Sequence, residues 1–270
     1  MSQLQISQFY ENQSVFITGG TGFIGKVLIE KLLRSTKVAT IYVLIRAKGD
    51  KNPSPRLEKM FNCALFDKLR DSHPDYRSRV TAIAGDCTQE NLGLTLEDRQ
   101  ELISKTNIVF HVAATVDFNE NIKSAYDVNV KGTKILLEFC KKFENLKSVV
   151  HTSTAYVYCH LHALDEVIYD HPLHYEQAES MLERLSLEEA ARWTPRVIEG
   201  HCPCHYAEVA THWDGGSASR FWKKAGVVRG TERGTLELSP KSVPGGLYLK
   251  SFAKLRVRKP ATCEWYCAYR

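Results

Sequence analysis

The chain has 270 residues, 43% hydrophobic and 25% charged, with a formal net charge of +5. That balance is ordinary for a globular chain and allows one large domain with its own core, so disorder is not the default reading. No apolar run reaches the roughly 18 residues of a membrane helix and residues 1–13 lack the layout of a secretory leader, so a soluble, intracellular chain without an integral membrane segment is expected.

Taken in chain order, five short runs rich in Val, Ile and Phe read as strands: 14–18, 40–45, 80–84, 107–113 and 147–152. They are nearly continuously apolar, as strands buried on both faces are, and helical patterns lie between them. The reading is an α/β fold, a doubly wound parallel sheet of the Rossmann kind spanning residues 9–200. After the first run comes Thr18-Gly19-Gly20-Thr21-Gly22-Phe23-Ile24-Gly25, and then Phe23, Ile24, Val27, Leu28, Leu32 and Leu33 at helical spacing, which predicts a helix with those residues as its apolar face. Residues 47–79 form a long connection, polar at first and helical around 57–69. A second helix is predicted over 121–143, with Ile135, Leu136, Phe139 and Cys140 inward, and an acidic helical stretch over 165–192. Cys63, Cys87 and Cys140 sit in apolar stretches and read as core thiols; eight cysteines in such a chain do not suggest a disulfide framework.

A glycine loop between a strand and a helix has the context of a dinucleotide site. Gly19 allows the tight turn, Gly22 lets backbone amides approach a pyrophosphate, and Gly25 lets the helix pack on the sheet. Where an NAD site places an acidic residue at the end of the second strand, this chain has Arg46, followed by Ala47 and Lys48. A cation there suits the 2′-phosphate of NADPH, the expected cofactor; the plainer reading is a solvated strand end. Asp86, after the third strand, is placed to accept from the adenine amine, or is simply a turn aspartate after Gly85.

Further segments carry a more specific signal. Val43-Leu44-Ile45-Arg46, Arg56-Leu57 with Leu65-Phe66-Asp67-Lys68-Leu69-Arg70, Gly85-Asp86, Phe110-His111-Val112-Ala113-Ala114-Thr115-Val116-Asp117-Phe118, Asn129-Val130-Lys131-Gly132-Thr133 and Ser153-Thr154-Ala155-Tyr156 stand in order behind the glycine loop. Residues 9–200 thus resemble the N-terminal Rossmann domain of alcohol-forming fatty acyl-CoA reductases, within the extended short-chain dehydrogenase/reductase superfamily. The resemblance implies a two-step reduction with NADPH as hydride donor and a long-chain fatty acyl-CoA as substrate: thioester to aldehyde with CoA leaving, then aldehyde to alcohol. It implies that Thr154, with Ser153 beside it, donates to the developing oxyanion, although a Ser/Thr pair that merely caps the strand is the simpler reading. It also implies that Thr18, Gly19, Gly22, Phe23, Ile24, Gly25, Arg46, Asp86, Ala113, Ala114 and Asn129 hold the cofactor. Relatives of this kind associate with peroxisomal or endoplasmic-reticulum membranes through later segments.

Near Gly200 the composition changes. Residues 201–270 hold 12 Lys/Arg against 5 Asp/Glu, four of the eight cysteines and three of the four tryptophans, while residues 1–200 hold 24 against 26. Beyond Pro195 no period is visible, so a basic, poorly ordered tail over 201–270 is expected, derived from another frame or exon and serving no nucleic acid. The Tyr-x-x-x-Lys pair that such reductases place here is missing: none of the 12 tyrosines has Lys four residues on, Tyr206 being followed by Ala210, Tyr248 by Phe252 and Tyr266 by Arg270. The chain therefore reads as a truncated reductase that binds NADPH, or else as a non-catalytic NADP-binding or partner-binding module. His201, Cys202, Cys204, His205, Cys263 and Cys267 could be arranged around zinc, but without a matching spacing they read as free side chains and no metal is expected.

Overall fold

Each of the five apolar runs is a strand, and the connections between them are helical. The structure is a computed structural model that describes residues 3–46, 52–117, 119–153, 175–200 and 228–230. In chain order the elements are α1 (Gln3–Phe9), β1 (Ser14–Thr18), α2 (Phe23–Ser35), β2 (Thr40–Ile45), α3 (Ser54–Phe61), α4 (Asp67–Ser72), β3 (Val80–Ala84), α5 (Leu96–Lys105), β4 (Ile108–His111), α6 (Ile122–Tyr126), α7 (Gly132–Cys140), β5 (Ser148–Thr152), α8 (Tyr175–Glu183), α9 (Leu187–Gly200) and β6 (Val228–Gly230). The strands form one sheet in the order β3-β2-β1-β4-β5-β6, and every neighbouring pair is parallel. The chain steps outward from β1 to β3, then returns to build β4 on the other side, so the direction of winding reverses between β1 and β4. In a doubly wound sheet a ligand lies at that reversal, beyond the carboxyl ends of the strands.

The two-residue period of the strands divides the core. Val15 and Ile17 of β1 join Ile41, Val43 and Ile45 of β2 on one face, against Ile29, Leu32 and Leu33 of α2. Phe16, Tyr42 and Leu44 point to the other face, against Leu102 of α5 and Leu136, Leu137 and Phe139 of α7. The connection after β2 is buried as well: Phe61 meets Phe66 and Tyr76 edge-on with ring centroids 5.3 and 5.1 Å apart, and Arg70 donates to the Phe61 carbonyl at 2.6 Å while pairing with Asp67. The Leu-Phe-Asp-x-Leu-Arg phrase is therefore a packing unit, with Phe66 and Leu69 fully buried.

Four expectations change. The helix after the glycine loop forms, but its buried face is Gly25, Ile29, Glu30, Leu32 and Leu33, whereas Phe23, Ile24 and Val27 are exposed; at the end of a sheet the first turn of a helix projects past the core. The helix over 121–143 is α6 and α7 joined by a wider π turn at Asp127–Lys131. The acidic stretch divides into α8 and α9, and the break is written in Ser186 and Glu189, each side chain accepting from the other's backbone N–H at 3.1 and 2.8 Å, a reciprocal helix start. α9 continues through Pro195 to Gly200, and β6 lies in a stretch with no visible period; three residues are too few to show one.

Candidate functional site: the carboxyl edge of the sheet

Gly19 has φ +70°, and a Cβ built there would lie 2.5 Å from the Ala113 backbone nitrogen, so the first loop touches the loop after β4 backbone to backbone. A Cβ on Gly25 would lie 2.3 Å from the Gly19 carbonyl oxygen. Only hydrogen fits at either position, and the result is a tight turn closed by the Gly22 N–H on the Gly19 carbonyl at 3.0 Å. Gly22 is the N-cap of α2, supplies no side-chain cap, and the first turn contains no acidic residue. The opening amides of α2, flanked by the exposed Phe23 and Ile24, thus face the sheet edge with no side-chain oxygen upon them. This is a cradle for an anion, and the nicotinamide dinucleotide that such a fold takes fits it.

At the outer corner of the same edge, β2 and β3 end next to each other, with Ile45 in register with Ala84. That places Arg46 Nε 2.9 Å from Asp86 Oδ2; Arg46 is 63% exposed and Asp86 17%. The other carboxylate oxygen, Oδ1, accepts from the Thr88 N–H at 3.0 Å and from the Thr88 hydroxyl at 2.9 Å. One oxygen of Asp86 thus serves the turn and the other faces the arginine. A second cation reaches the same corner, because Arg56 at the start of α3 donates to the Arg46 carbonyl oxygen. Arg56 stands in the sequence as part of the Arg56-Leu57 segment, and only the fold brings it to this corner. Ala47 and Lys48 lie outside the described residues.

At the reversal the site turns inward. Thr18 Oγ1 lies 2.6 Å from His111 Nδ1, and His111 Nε2 lies 2.9 Å from Thr133 Oγ1. The Thr133 hydroxyl donates to the Asn129 carbonyl at 2.7 Å, and the Val112 and Ala113 N–H groups face Thr18 Oγ1 at 3.3 Å. Thr18 and His111 are 0% and 1% exposed. Burial, followed by the neighbouring His151, holds the His111 imidazole well below the ordinary histidine pKa, and their ring centroids are 5.2 Å apart. Burial and then the Asp86 charge push the Cys87 thiol up to about 12, so it is an inert core group at neutral pH.

Asn129 is used locally: its Oδ1 accepts from the Thr115 N–H at 2.9 Å and its Nδ2 donates to the Thr115 carbonyl at 3.3 Å. It braces the loop carrying Ala113 and Ala114. Ser153, half-buried, follows directly on β5. Thr154 lies outside the described residues, as do the side chains of His201, Cys202, Cys204, His205, Cys263 and Cys267. The structure therefore brings together the glycine loop, Ala113, Ala114 and Asn129 at the reversal and Arg46 with Asp86 at the corner, with Ser153 on the next strand out. Sequence reading missed His111 and Thr133 as parts of this assembly, although each lies inside a segment singled out for its motif.

The family described as "Male sterility protein", an NAD-binding domain, matches residues 17–204. Fatty acyl-CoA reductase wat of Drosophila melanogaster is 41% identical over 196 residues, covering 73% of this chain and 38% of its own length. Human Fatty acyl-CoA reductase 1 is 43% identical over 196 residues, covering 72% and 38%. The chain thus spans well under half the length of these curated relatives. Among solved structures, the terminal R domain of the myxalamid PKS-NRPS biosynthetic pathway superposes with a TM-score of 0.53 at 23% identity, covering 81% of this chain and 48% of that one. The thiolation-reductase di-domain of an archaeal non-ribosomal peptide synthetase gives 0.52 at 22%, covering 83% and 43%.

Proposed function

The chain belongs to the male sterility NAD-binding family that includes the fatty acyl-CoA reductases, and from that premise we propose that it binds NADPH in preference to NADH and is the Rossmann portion of a reductase of long-chain fatty acyl-CoA. The observation that carries this reading is the cradle at the reversal, in which Gly19 and Gly25 tolerate no side chain and the opening amides of α2 are uncapped. The bound nicotinamide nucleotide supplies hydride. The chain itself contributes phosphate binding at α2, a cation for the 2′-phosphate in Arg46, and the loop carrying Ala113 and Ala114 braced by Asn129. Thr154, one residue past Ser153 at the end of β5, donates its hydroxyl to the carbonyl oxygen as negative charge develops there. In the full reaction two hydrides and two protons convert an acyl thioester to an alcohol and free CoA thiol.

A proton donor tuned by a lysine is the missing part, since no Tyr-x-x-x-Lys occurs in the sequence. Positioned proton transfer contributes about 10²–10⁴-fold, so this chain turns over acyl-CoA poorly. That absence favours a second reading, a nucleotide-binding module without turnover. The test is calorimetric titration with NADPH and NADH, followed by acyl-CoA-dependent NADPH oxidation by the chain and by a version whose residues from 201 onward are replaced with a segment carrying Tyr-x-x-x-Lys. Binding of NADPH with recovered alcohol formation supports the reductase reading; binding with no recovery leaves the module. Equal affinity for the two cofactors overturns the role given to Arg46.

A further inference from the structure

On the reading that the sheet edge holds a nicotinamide dinucleotide, we propose that His111 is a positioning residue for that ligand. As the neutral imidazole with its proton on Nε2, it sets the loop after β1 against the loop after β4, so that the two halves of the dinucleotide are met in one geometry.

The direction of each hydrogen bond follows from counting protons. The Thr133 hydroxyl has one proton, directed to the Asn129 carbonyl at 2.7 Å, so toward His111 Nε2 at 2.9 Å it can only accept. Nε2 therefore carries the imidazole proton. A neutral imidazole has no second one, so Nδ1 is bare and accepts from the Thr18 hydroxyl at 2.6 Å. With its proton spent, Thr18 Oγ1 keeps its lone pairs toward the Val112 and Ala113 N–H groups. Each donor has one acceptor along Thr18, His111, Thr133 and the Asn129 carbonyl, and the Asn129 side chain continues the chain of contacts to Thr115.

What this chain of bonds joins gives it a role beyond filling the core. Thr18 begins the glycine loop of the half-site built on β1 to β3, and residues 112–115 begin the loop of the half-site built on β4 and β5. A dinucleotide lies across the two halves, so its affinity depends on their being held in register, whereas a ligand confined to one half does not need that registration. His111 touches elements of both halves, through Thr18 on β1 and Thr133 on α7, and it fixes the Thr18 hydroxyl that in turn faces the Val112 and Ala113 N–H groups.

The experiment compares NADPH with 2′-phospho-ADP-ribose, its adenine half, by calorimetry on the full 270-residue chain and on His111→Leu, His111→Gln and Thr133→Val. Thr133→Val is nearly isosteric and tests the relay where His111→Leu fails to fold. Thr133→Val and His111→Leu should weaken NADPH by about tenfold or more while the fragment shifts by less than about threefold, as expected for lost preorganisation. His111→Gln, whose amide accepts from Thr18 and donates to Thr133, should bind NADPH within about threefold of the parent. Nitrogen NMR of the histidines should place the His111 proton on Nε2. Equal losses for both ligands, no loss for either, or a proton on Nδ1 overturns the proposal while leaving the nucleotide site standing. A parent chain that binds neither nucleotide overturns the underlying reading, and the proposal with it.

Discussion

At the β2–β3 corner an exposed Arg46 meets Asp86, whose carboxylate is mostly covered, whereas at the β1–β4 reversal Thr18, His111 and Thr133 all meet out of solvent. Both places sit on the same edge of one sheet, yet they use polar groups differently. With its guanidinium in water, Arg46 can leave Asp86 at little cost, and on the proposed reading it would turn to a ligand phosphate. In the interior an unpaired polar atom is expensive, so the reversal uses neutral groups hydrogen-bonded to one another. On the proposed reading the corner discriminates between ligands and the reversal holds a fixed shape.

The largest effect should come from breaking the shape. Gly25→Ala forces a Cβ to within 2.3 Å of the Gly19 carbonyl oxygen and should cost on the order of 3 kcal/mol in urea unfolding, with loss of nucleotide binding in the same preparation. A variant that unfolds and binds like the parent would mean that the loop is not rigid.

The interior's dependence on neutrality gives the next effect. Because His111 is held well below its ordinary pKa, the folded chain leaves it unprotonated where the unfolded chain takes up a proton, below about pH 6.5. The unfolded state then binds more protons, so stability is retained above that pH and declines as pH falls through it, by up to about 1.4 kcal/mol per pH unit. Urea titrations between pH 8 and pH 5 should show this slope, and His111→Gln should flatten it. A slope shared by both proteins would assign it to other groups.

The corner should answer more weakly and in two opposite directions. Arg46→Ala should weaken NADPH by about tenfold, roughly 1.4 kcal/mol, and leave NADH nearly unchanged in calorimetric titration. Asp86→Asn, which releases the guanidinium from its 2.9 Å partner, should strengthen NADPH by only about two- to fivefold, since a pair with one partner in water contributes about 1 kcal/mol. Weaker NADPH binding by Asp86→Asn would show that Asp86 holds Arg46 in place for the ligand and does not compete with it.

The five strand runs, the turn between β1 and α2 and the identity of Gly19, Gly22 and Gly25 are legible in the sequence, because each rests on a local rule. A strand buried on both faces needs a continuous apolar run, and a turn pressed against neighbouring backbone needs residues without a side chain. The Leu-Phe-Asp-x-Leu-Arg phrase was legible as a family mark but not as packing, since its ring contacts join Phe61, Phe66 and Tyr76 across an irregular connection. Three facts lie beyond local rules. The apolar residues at the start of α2 are exposed because the sheet ends beneath them, and periodicity carries no information about where a sheet ends. Arg46, read alone, is a free cation; only the parallel register of β2 and β3 brings Asp86 against it from 40 residues away. His111 reads as one more residue of an apolar run, and its two partners come from 93 residues before it and 22 after it. Composition and period determined the sheet and its glycine loop, and tertiary structure decided which polar groups neutralise one another, because hydrogen bonds and charge pairs depend on distances that only the folded chain sets.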